Sequence, residues 1–221
     1  MRVSSTDLGW DGSTIHQWQR QMFGALELLV YAFDDASKRD GSAPIEAALA
    51  RNEVADGLRT LVIRMAFALL AEVRGQLPME CAAYREQLSI TELAERLIAG
   101  ERNGAAGYAR LVLLWRALFL GVQTDELRVP ALGGEFFDPE RFPFLEGRQH
   151  GEPVGKLPSI SDDTLAQVLE LLTRVGGRYE NAFGFDYATF DPHDFGTAFE
   201  YFMGYDVIRL KSEAVRIGGA R

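Results

Sequence analysis

Cysteine is almost missing from this 221-residue chain: Cys81 stands alone, so no internal disulfide can staple the fold. A reducing cytoplasm is therefore the expected home. Lysine is nearly as scarce, since Lys38, Lys156 and Lys211 are the only lysines among 23 basic residues. Acidic residues number 32 and the formal charge is -9, which leaves no general excess of positive charge to grip a phosphate backbone. That argues against a free-standing nucleic-acid binder, though not against a local arginine cluster or a larger protein that supplies the grip. Long apolar runs are lacking too. Residues 22–33, 58–71 and 111–120 are each interrupted by charge (Glu27, Arg59 and Arg64, Arg116) and fall short of the roughly 20 apolar residues a span needs. No apolar signal core follows Met1, so neither a leader nor a membrane partner is expected.

The signatures of nucleotide, nucleophile and metal chemistry are absent as well. There is no G-x-G-x-x-G after a strand, no G-x-x-x-x-G-K-[ST], no G-x-S-x-G and no C-x-x-C. Gly133-Gly134-Glu135-Phe136 comes near the GGEEF signature of cyclic-dinucleotide cyclases, but it is one acidic residue short and no strand pair with metal ligands flanks it. Asp194-Phe195-Gly196 spells the kinase magnesium triplet without the HRD loop or strand lysine that gives it meaning. His16 and His150 are isolated, and His193 between Asp191 and Asp194 reads as a helix start. Cys81 has no histidine near it to make it a nucleophile. The carboxylates Glu180 and Asp186, or Asp191 and Asp194, lack a positioned base or metal partner, so a hydrolase is poorly supported. No catalytic residue, metal or cofactor is assigned to this chain.

What is present is helical periodicity in a chain of ordinary globular composition, 47% hydrophobic and 25% charged. Ile15, Trp18, Met22, Leu26, Leu29, Val30 and Phe33 share one face of a helix over about 14–36. Residues 37–44, rich in turn formers and charge, read as a loop. A second helix starts near Ile45 and breaks around Asn52. Residues 56–73 then run nearly apolar all round, the mark of a helix central in a bundle. Gly75 and Pro78 stop it. Glu72 and Arg74 at its end read as a charged pair tying the helix to a neighbouring segment, with a partner or nucleic-acid contact as the alternative. Ser89-Ile90-Thr91-Glu92 is a capping box for the next helix, with a Glu92–Arg96 pair outside.

Residues 105–120 form another helix, expected to be buried on two sides because Leu113, Leu114 and Leu120 oppose the main stripe. Residues 122–160 lose the period and gain Phe136, Phe137, Phe142 and Phe144, which predicts a long ordered loop pinned to the bundle by its phenylalanines. Ser161 caps a helix carrying Leu165, Val168, Leu169 and Leu172 with a Glu170–Arg174 pair. A last helix opens at Asp191-Pro192 and turns Phe195, Ala198, Phe199, Phe202 and Met203 inward. Residues 205–210 and 214–217 then read as a hairpin. The expected fold is mainly α: one multi-helix domain over 1–221 with a long aromatic-rich loop and a short C-terminal β-hairpin.

Three segments, in order, resemble the region preceding the catalytic domain of large adenine-specific DNA methyltransferases. These are the type IIG restriction–modification proteins and the methyltransferases of BREX and DISARM phage defence. The first segment runs from Leu58-Arg59-Thr60-Leu61 to Leu69-Leu70-Ala71-Glu72-Val73-Arg74-Gly75-Gln76-Leu77-Pro78 and is similar to the family's "LLRLLFLLYAEDRGLLP", with Tyr84 and Leu88-Ser89 following. The second is Leu114-Trp115-Arg116-Ala117-Leu118-Phe119 with Gly133-Gly134-Glu135-Phe136-Phe137-Asp138-Pro139 and Phe144-Leu145, similar to "LW..L..LF", "GGGLFDP" and "FL". The third begins at Ile160-Ser161-Asp162-Asp163 and continues as Phe195-Gly196-Thr197-Ala198-Phe199-Glu200-Tyr201-Phe202-Met203-Gly204-Tyr205, similar to "LGSVYEALMGF". Phe199 stands where that family prefers Tyr, and Asp191-Pro192-His193-Asp194 replaces its "LDVEHL".

The resemblance implies a non-catalytic helical domain that supports a methyltransferase and helps position DNA or subunits. Arg221 falls about where the family begins "GSYYTP", and no Asn-Pro-Pro-Tyr is present. S-adenosylmethionine binding and catalysis are thus expected from a catalytic methyltransferase domain in cis or in trans, and DNA contact through the full-length protein. Glu72, Arg74, Gly133, Gly134, Phe137, Asp138, Phe199, Glu200 and Gly204 are the candidate structural or interaction residues. The alternative is a stand-alone acidic helical module that mediates interaction or regulation in a defence complex.

Overall fold

The computed structural model describes residues 12–175, together with 183–184, 187, 196, 200, 202, 206–209 and 215–218. Within these residues the helices expected from apolar spacing form in order, and two short ones join them. They are α1 (Gly12–Asp40), α2 (Ala43–Ala50), α3 (Val54–Val73), α4 (Ala82–Gln87), α5 (Ile90–Ile98), α6 (Ala106–Leu120), the single turn α7 (Gly134–Phe137) and α8 (Asp162–Thr173). Short antiparallel pairs join β1 (Val122–Gln123) to β2 (Arg128–Val129) and β3 (Arg174–Val175) to β4 (Phe183–Gly184). The C-terminal hairpin forms as expected, β5 (Asp206–Arg209) against β6 (Val215–Gly218), with Val207 opposite Ile217. The protein is mainly helical with small β elements.

Helix α3 is the centre, with 16 of its 20 residues buried. That is the structural meaning of a sequence apolar on every side. Helix α1 lies along α8 and α3, while α5 packs on α8 and α3. The resulting core runs from Trp18, Met22 and Leu26 on α1 through Leu58, Leu61 and Met65 on α3 to Leu165 and Leu169 on α8. Helix α8 starts as expected, Ser161 Oγ accepting from the Thr164 amide.

The expected 37–44 loop shrinks to Gly41 and Ser42. Turn-forming composition loses there to specific pairings. Lys38 Nζ sits 2.8 Å from Asp34 one turn back, and Ser37 Oγ donates to the Asp34 carbonyl, so the helix carries on to Asp40. Gly41, at φ 114, then ends it, and Pro44 suits the first turn of α2. The break near Asn52 is real, and Asn52 takes a left-handed φ of 59.

The long 122–160 segment is ordered as expected but contains structure of its own: β1, β2, α7 and a 3-10 turn at Pro143–Glu146. Phe137, Phe142 and Phe144 are buried, and Phe136 packs against the core. Helix α6 departs from expectation. Leu114 is fully buried, but Leu113 and Leu120 are 52% and 69% exposed, so one flank of α6 meets solvent.

Gly57 explains how the aromatic segment reaches α3. A Cβ at that position would lie 2.5 Å from two carbons of the Phe144 ring, so the ring docks where only hydrogen leaves room. Gly57→Ala should therefore lose about 1–3 kcal/mol by overpacking, despite the roughly 1 kcal/mol of helix propensity gained. Urea unfolding measures the loss, and adding Phe144→Leu should restore part of it.

Candidate functional site

Five of the sequence-predicted residues, Glu72, Gly133, Gly134, Phe137 and Asp138, fall in or beside two buried polar clusters. In the first, Glu72 ends α3 with only 4% of its surface exposed. Its carboxylate accepts from Tyr84 Oη (2.8 Å), Ser89 Oγ (3.1 Å), the Ile90 amide (2.9 Å) and the Thr91 amide (3.0 Å). Burial pushes the Tyr84 phenol well above its ordinary range, and the neighbouring Glu72 charge adds to this, so Tyr84 stays a donor. An anion at the first amides of α5 also meets the positive end of the helix dipole.

The expected capping box is thus half replaced. Ser89 Oγ accepts from the Glu92 amide, but the Ser89 amide donates to the Tyr84 carbonyl. Glu92 faces Arg96 instead, at 3.9 Å. Glu72 does tie its helix end to a neighbouring segment, without Arg74 in that cluster; Arg74 is half-buried at the C-cap of α3.

The second cluster is centred on Arg64, in sequence no more than a charge interrupting an apolar run. It is 4% exposed. Its Nε donates to the Phe136 carbonyl (2.6 Å), its Nη2 reaches the Asp138 carbonyl (3.4 Å), and the guanidinium lies 5.7 Å from the Phe137 ring centre. Burial lowers its pKa to about 10, so it remains a cation at neutral pH. This arrangement accounts for the Gly133-Gly134-Glu135-Phe136-Phe137-Asp138 segment. Both glycines adopt positive φ (58 and 70), turning the chain into α7. Phe137 is then inserted between Phe67 and Trp115, and the Asp138 carboxylate accepts from the Glu140 amide.

Beside Arg64, buried Glu146 takes a two-pronged contact from Arg116 (2.8 and 2.7 Å) and a third from Arg148 Nε (2.8 Å). Arg148, 3% exposed, extends the chain to Glu140 at 2.7 Å. Tyr108 Oη donates to the Leu145 carbonyl. A further carboxylate, Asp162, accepts from the amides of Asn103 (2.7 Å) and Gly107 (2.9 Å), linking the start of α8 to the start of α6. Charged residues set on otherwise apolar faces were the signal available for these groups.

Glu200 is helical and exposed, while Phe199 and Gly204 lie outside the described residues. The helix expected from Asp191 lies mostly outside them too. Phe202, one of its inward positions, is buried with its ring 5.1 Å from that of Phe23. The carboxylates Asp186, Asp191, Asp194 and Glu180 also fall outside.

A cavity of about 270 Å³ opens where α1 meets α2. Phe33, Ala36, Ile45 and Phe144 supply apolar wall, and Ser37, Asp40 and Lys156 supply polar groups. The Asp40 carboxylate accepts from Lys156 Nζ (2.7 Å), the Ser159 amide (2.7 Å) and Ser159 Oγ (2.9 Å). These contacts, Lys156 foremost, lower its pKa to about 2. Among the described residues no His, Cys, Asp and Glu side chains gather as a metal site, and no helix is long and apolar enough to cross a membrane. No family model, curated protein or solved structure matches the chain.

Two outcomes follow. Glu72→Ala strands two hydroxyls and two amides and should cost about 3 kcal/mol or more. Thermal unfolding reads the loss, and faster amide exchange at Ile90 and Thr91 locates it. Asp40 has a depressed pKa, so its contribution is present above its ordinary 3.8 and is lost as pH falls toward about 2. Asp40→Asn should flatten that part of the acid-unfolding curve and leave its shape near neutrality unchanged.

Proposed function

We propose that this chain is a non-catalytic helical domain of a site-specific adenine-N6 DNA methyltransferase or restriction–modification protein of phage defence. It supports the catalytic domain and helps to position DNA or subunits. One observation carries the reading. The first and second resembling segments are far apart in sequence, yet their residues meet in one assembly: Arg64 and Phe67 from the first, Trp115, Phe136 and Phe137 from the second. That shared packing supports the reading. Glu72, Tyr84 and Ser89 within and just after the first segment likewise form a single hydrogen-bonded group.

In this reading the methyl donor and the flipped adenine belong to the catalytic domain. This chain contributes a rigid surface. A stand-alone acidic interaction module of a defence complex is the second reading. Leu113 and Leu120 on α6, with Leu132 nearby and 48% exposed, favour a protein partner at that face.

The test is to purify the chain with and without a matching catalytic methyltransferase domain, then measure adenine-N6 methylation of plasmid DNA. The expected result is no methyl transfer by the chain alone, stable association with the catalytic domain, and a gain in methylation when both are present. No association and no gain would overturn the proposal. DNA binding at low salt that weakens steeply as salt rises would separate it from the interaction-module reading.

A further inference from the structure

The cavity between α1 and α2 has an asymmetry of charge that identifies a ligand class. Beneath it the Phe33 and Phe144 rings, 3% and 2% exposed, meet edge to face at 5.9 Å and form a firm floor. The apolar surface a ligand can reach belongs to the part-exposed Pro44, Ile45 and Pro158. About 270 Å³ is enough for one six-membered ring and a short chain, since a cavity of roughly 150 Å³ holds benzene.

The two charges on the rim are not equivalent. Asp40 is 14% exposed in its side chain and is held by both the amide and the hydroxyl of Ser159. Lys156 is 70% exposed, and its ammonium reaches the carboxylate from a flexible four-carbon stem. The anion is therefore built into the wall, whereas the cation is a removable occupant of the site facing it. An exposed pair of this kind is worth little, so a competing ammonium with an apolar anchor can take the place of Lys156. An anionic ligand would gain a mobile lysine but would have to lie against a fixed carboxylate.

We propose that this cavity is a binding site for a small primary amine carried on an apolar, ring-sized body, its ammonium replacing that of Lys156 on Asp40 and its ring lying on Pro44, Ile45 and Pro158. The site is independent of the methyltransferase reading.

The test titrates the full chain with 2-phenylethylamine, 2-phenylethanol and 3-phenylpropionate, following amide shifts of Gly41, Ala43 and Ile45 by nuclear magnetic resonance. The amine should bind about tenfold more tightly than the alcohol, as a charge-assisted hydrogen bond implies, and the acid should bind least. Lys156→Ala, a surface change that spares the fold, should tighten amine binding about twofold to fivefold by removing the competitor. Asp40→Asn should erase the preference for amine over alcohol, and Ala36→Phe should fill the cavity and block both. The proposal is overturned if the acid binds as well as the amine, if Lys156→Ala weakens amine binding, or if no probe shifts these amides.

Discussion

The fold depends on carboxylates placed, from elsewhere in the chain, on helix starts whose own flanking residues leave amides unpaired. Every helix begins with amides that have no partner within it. At α5 those of Ile90 and Thr91 are taken by Glu72 from the end of α3. At α6 the N-cap is Ala105, which offers no side-chain oxygen, and Asp162 from α8 accepts from Gly107 instead. Both carboxylates are buried, where an unpaired charge would cost several kcal/mol. Each is held by donors converging from elsewhere in the chain, so one ties the central helix to α5 and the other ties α8 to the start of α6.

A second set of buried charges fastens the aromatic segment to this frame. Arg64 holds two carbonyls across 72 and 74 residues of sequence, while Glu146 stands between Arg116 and Arg148. The cation is satisfied by main-chain oxygen and aromatic faces, so the segment is fixed by shape as much as by charge. That precision matters for a domain whose proposed work is to present a surface. Arginine suits the role better than lysine because its planar fork can address two acceptors at once.

Much of the helical architecture was legible in the chain. The all-round apolar pattern of α3, the Ser161 cap and the C-terminal hairpin are local features, and local features survive into structure. The clusters were not legible, because their partners lie far away in sequence. Nothing near Glu72 says that its acceptors serve Ile90, and nothing near Arg64 points to Phe136. The 37–44 segment misled for the opposite reason: its turn-forming residues are conspicuous, while the Asp34–Lys38 pair that extends α1 is ordinary. Leu113 and Leu120 on α6 show a third limit, since periodicity separates the faces of a helix without telling which face is covered.

Capping from a distance also bears on the order in which the molecule is made. Helix α5 has nine residues, too few to persist alone in water. Its strongest terminal support arrives with α3, eighteen residues away, and not from its own flanking sequence. Winding of α5 and its docking on α3 are therefore one event, and a growing chain that has emerged only as far as Val73 holds an anion still waiting for its helix.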